Sequence, residues 1–123
     1  MAFVSDDRSH YRSLIDELVE RCRSGGGQIS ARRVSAGVWN KNSDDALSAV
    51  PEQIEMNRLL ARLSQTDREL LAGFFAQEFA GGVATALGVL YENQVPPFED
   101  GYEGSPYHDF WGRMDDWPWP ASA

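Results

Sequence analysis

The segment from Asp67 to Gln94 limits the fold more than any other part of this chain. Leu70, Leu71, Phe74, Phe75, Phe79, Val83, Leu87 and Leu90 recur at helical spacing and cover more than one face. A helix that is apolar on several sides must be covered by other elements. Unbroken, it would be roughly 42 Å long, close to the width of a whole domain of this size. Gly81-Gly82 is therefore the expected kink or break, since each glycine costs about 1 kcal/mol in a helix interior. Pro96-Pro97 ends the segment because proline has no N–H to donate. At its start, Thr66-Asp67-Arg68-Glu69 reads as a capping box.

Within this segment Ala76, Ala80, Ala84 and Gly88 fall every fourth residue. A ridge of small side chains lets another helix approach closely. The first expectation is a contact inside the monomer, and the second is a homodimer seam.

Two further helices supply partners. Tyr11, Leu14, Ile15, Leu18, Val19 and Cys22 make one apolar stripe over residues 6–23. Ser5 is its expected N-cap, Asp6 and Asp7 suit the helix dipole, and Gly25-Gly26-Gly27 ends it. Pro51 opens a helix over 51–63 whose buried side is Ile54, Leu59, Leu60 and Leu63. Residues 28–45 show no lasting period and read as a loop with one short helical turn. In it Trp39 folds back onto the core, and Asn40 to Asp45 is turn-like. The expected fold is all-α: a single-domain bundle of four to five helices over 1–123, with an aromatic tail at 98–123.

Charge narrows the function. The net charge is −8 over 123 residues, with 42% hydrophobic residues. No Lys or Arg lies between Arg68 and Arg113. A nucleic-acid partner is not expected, because binding one requires cations that displace condensed counterions. A membrane partner is not expected either. The longest apolar run, Phe79 to Tyr91, is too short to span, and an acidic surface repels anionic headgroups. The acidic start of the chain is unlike a signal peptide, and Cys22 is the only cysteine. A reducing, cytoplasmic setting is expected.

Chemistry-bearing motifs are sparse. There is no nucleophile elbow, no phosphate-binding glycine loop and no zinc-finger spacing of Cys and His. No cofactor is expected. His108 with Asp109, Asp115 or Asp116 is the one arrangement that would suit a small enzyme or a metal-dependent protein. The tail is more distinctive. Phe98 to Gly104 reads as an acidic loop. Ser105-Pro106 starts a short helix through Arg113, and Trp117-Pro118-Trp119-Pro120 leaves the helical region. Tyr102, Tyr107, His108, Phe110, Trp111, Trp117 and Trp119 cluster there, interleaved with Asp115 and Asp116. Such residues either strap a small core shut or anchor a partner. The leading expectation is a non-enzymatic interaction protein (an adaptor, regulator or immunity-type partner) that meets a basic protein through these residues.

Two resemblances accompany this reading. Leu63 to Leu71, followed by Ala84 to Val89, resembles the helix-turn-helix of sigma-type bacterial regulators. Such a recognition helix would continue with basic residues, whereas Leu90-Tyr91-Glu92-Asn93-Gln94 is acidic and then proline-broken, so DNA binding is not expected. The chain as a whole resembles small bacterial proteins of uncharacterised families. The likeness rests on the Tyr-His-Asp-Phe segment at Tyr107–Phe110 and the closing Asp-Trp-Pro-Trp-Pro at Asp116–Pro120. It implies no activity.

Overall fold

The described residues form five α-helices: α1 (Ser5–Arg23), α2 (Ile29–Ala36), α3 (Pro51–Arg62), α4 (Gln65–Glu92) and α5 (Pro106–Met114). A 3-10 turn at Gly26–Gln28 precedes α2. The structure is a computed structural model that describes residues 5–41 and 51–121. No strand occurs among them, so the class is all-α, as expected. The side chains of Ser5, Asp6 and Asp7, and residues 42–45 of the expected turn, lie outside the described residues.

The chain divides into two compact units, one of Met1–Gly25 with Phe79–Ala123, the other of Gly26–Glu78. In the first unit, Tyr11, Ile15, Val19 and Cys22 of α1 are buried against Ala80, Ala84 and Leu87 of α4 and Phe110 of α5. Phe98, Tyr102, Trp111 and Trp119 pack on this cluster. In the second unit, Ala31 and Val34 of α2 are buried with Leu60 of α3 and Ala72 of α4. Trp39 does fold back, with its ring 5.9 Å from Phe75. The Asn57 side chain holds that turn: its Oδ1 accepts from the Trp39 and Asn40 amides at 2.6 and 3.1 Å.

Several local expectations are corrected. Residues 29–36 form a helix, not a loop. Only Ala31 and Val34 need burying in a helix this short, so no long period develops. Its end is set by Gly37, whose φ of +82° lets the Gly37 and Val38 amides return to Val34 and Arg33 carbonyls. The residue that caps the start of α4 is Ser64, not Thr66. The Ser64 Oγ accepts from the Asp67 amide at 3.1 Å, and the Ser64 carbonyl accepts from the Arg68 amide. Leu59 is 40% exposed, and Met56 packs on the core with Leu60.

α4 also runs through Gly81-Gly82 without a break. Ala80, Ala84 and Leu87, buried on one face across the glycines, offset their low propensity. By length and composition this helix could cross a membrane, although its unbroken apolar run is short. A mostly buried core helix of a soluble protein passes the same test, and here 17% of the apolar window is buried. The small-residue ridge is shared out: Ala80 and Ala84 lie inside the first core, Ala76 edges the second, and Gly88 is half-buried.

Ala84 is fully buried, so Ala84→Leu overpacks the first core. A loss of about 1–3 kcal/mol in denaturant unfolding is expected, at unchanged molar mass by light scattering. A change of mass with unchanged stability would instead place Ala84 at a seam between copies.

Candidate functional site

α5 is positioned by its own start. Ser105 is extended, its Oγ accepts from the His108 amide at 3.4 Å, and Pro106 fills the first turn. One turn later Asp109 is 2% exposed. Its carboxylate accepts from the Tyr11 hydroxyl of α1 and from the Tyr102 and Glu103 amides, at 2.8 and 2.9 Å. Three donors compensate the desolvation of a buried negative charge. Burial, then the hydrogen bond and charge of Asp109, push the Tyr11 hydroxyl far above its ordinary pKa.

Asp16 of α1 makes a second tie. It accepts from Arg113 Nε at 2.8 Å and from the Trp119 indole N–H at 3.0 Å. The Arg8 guanidinium lies 3.9 Å from the Tyr102 ring centre, and Arg12 and Arg113 each lie 5.3 Å from the Trp119 ring. Cations over aromatic faces add to the hold. Tyr102 and Trp119 are themselves 5.3 Å apart. The aromatic tail is thus a strap across α1.

The predicted partner-binding residues separate into two groups. Phe110 is fully buried, and Tyr102, Trp111 and Trp119 are half-buried on the core. Tyr107, His108, Asp115, Asp116 and Trp117 are exposed. Phe110 is therefore corrected from a surface contact to a core residue. Tyr107 faces solvent because only the Phe110 side of α5 can reach the core.

Trp117 stands out among the exposed group at 59% exposure. It is also firmly placed. α5 ends with Asp116 in the left-handed region, at φ +63°. The Trp117 amide donates to the Gly112 carbonyl at 2.9 Å, and Asp116 to Arg113 at 3.1 Å. The indole lies over Gly112, where a Cβ would come within 3.2 Å of Trp117 Cε3. The Trp117 carbonyl accepts from Arg113 Nη1 at 2.6 Å. Beside it, Asp116 pairs with Arg23 at 2.6 Å, and that hydrogen bond holds its carboxyl below the ordinary range.

The residues suggested for enzyme or metal chemistry are not brought together. Asp109 faces inward to Tyr11, whereas His108 Nδ1 lies 2.8 Å from Ser105 Oγ. Among the described residues no three His, Cys, Asp or Glu side chains converge. Cys22 is buried, which pushes its thiol pKa up and makes it a poor nucleophile. A half-open apolar groove of about 600 Å³ does lie in the first unit, between α1 and α4 beside Phe98. The sequence reading missed it, and it missed Asp16 and the inward role of Asp109. The signal for Asp109 was its place one turn inside a proline-started helix, four residues after the cap.

Asp109→Asn keeps the shape but sets an NH2 group against N–H donors. A loss of about 2–4 kcal/mol is expected in denaturant unfolding. Tyr11 gives a pH test. Its folded pKa is raised, so its contribution is complete below the unfolded tyrosine value and falls as pH rises above about 10. Tyr11→Phe should flatten the alkaline slope of stability, and an unchanged slope would remove the Tyr11 link.

No curated protein and no solved structure matches the chain. Residues 4–121 match a family of unknown function, DUF6547. That match spans the strap, α1 and both cores, and the chain accordingly belongs to this family.

Proposed function

We propose that this chain is a non-enzymatic protein-interaction module, of adaptor, regulator or immunity type, that meets a basic partner around Trp117. The observation that carries this reading is a tryptophan whose backbone is tied to α5 and whose indole lies over Gly112 yet is more than half exposed. A fixed side chain loses little entropy when a partner covers it, so its buried area converts efficiently into affinity. The local charge favours the same kind of partner. Asp115, two residues before Trp117, is exposed, whereas Asp116 is already paired with Arg23 and Arg113 is held by the Trp117 carbonyl and Asp16. A partner Lys or Arg over the indole face would gain a cation–π contact and a nearby carboxylate. The left-handed Asp116 backbone, an uncommon state for a residue other than glycine, belongs to the turn that presents Trp117.

The test is affinity capture from the native lysate with wild-type and Trp117→Ala protein. Truncating a central aromatic anchor is expected to weaken the captured complex by roughly thirtyfold or more. Melting temperature should hardly move, since Trp117 is outside the core. Raising salt should weaken capture as well. Retention of the same partners by both proteins would remove the reading.

A further inference from the structure

We draw no further inference here: the strongest candidate, the apolar side of α4 in the first unit, where Phe79 and Val89 are exposed beside the half-open groove that α4 forms with α1, is an unpartnered surface, and nothing in the structure shows what covers it.

Discussion

The buried carboxylate of Asp109 is the constraint on which the first unit depends. α1, distant in sequence, meets it through the Tyr11 hydroxyl, and the 102–103 turn just before α5 meets it through two amides. A charge removed from water is tolerated only when its lone pairs are satisfied. Each donor is therefore fixed by the others, and the loop before α5 has little choice of path. The ties made by Asp16 and by the arginines over Tyr102 and Trp119 then act on a strap already in register. These outer contacts are more exposed, and each is individually weaker.

That arrangement divides the aromatic tail. Residues on the Asp109 and Phe110 side of α5 turn inward with the carboxylate, and Tyr102 and Trp119 close over α1. Trp117 is directed outward by the turn at Asp116, whose amide and that of Trp117 return to the last carbonyls of α5. One segment thus does two things. It closes a core that α1 and α4 alone leave open, and it presents a fixed aromatic surface.

Much of the fold was legible because the pattern was long. The α1 stripe and the apolar α4 have enough turns for periodicity to dominate, and Ser105-Pro106 is a strong local start signal. What escaped notice depended on three-dimensional context. α2 has only two inward residues, Ala31 and Val34, and a helix of two turns shows hardly any period. The ends of α4 and α5 fall close to the expected ones, but the left-handed Gln94 and Asp116 that follow them, in the position usually given to glycine, had no sequence signal. Gly81-Gly82 pointed to a break that packing on Ala80, Ala84 and Leu87 removed. At the site, the aromatic cluster was visible as composition, but which rings face inward depends on the register of α5 against α1. The pairing of Tyr11 with Asp109 spans 98 residues and has no local signature.

Native-state hydrogen exchange at the Tyr102 and Glu103 amides tests the central role of Asp109 most directly. Both amides donate to its carboxylate from a turn that has no regular secondary structure of its own. If Asp109 organises the strap, both should exchange as slowly as the buried part of α1 in wild-type protein, and both should lose protection together in Tyr11→Phe. Exchange at the rate of an open loop in the wild type, or protection unaffected by Tyr11→Phe, would contradict it.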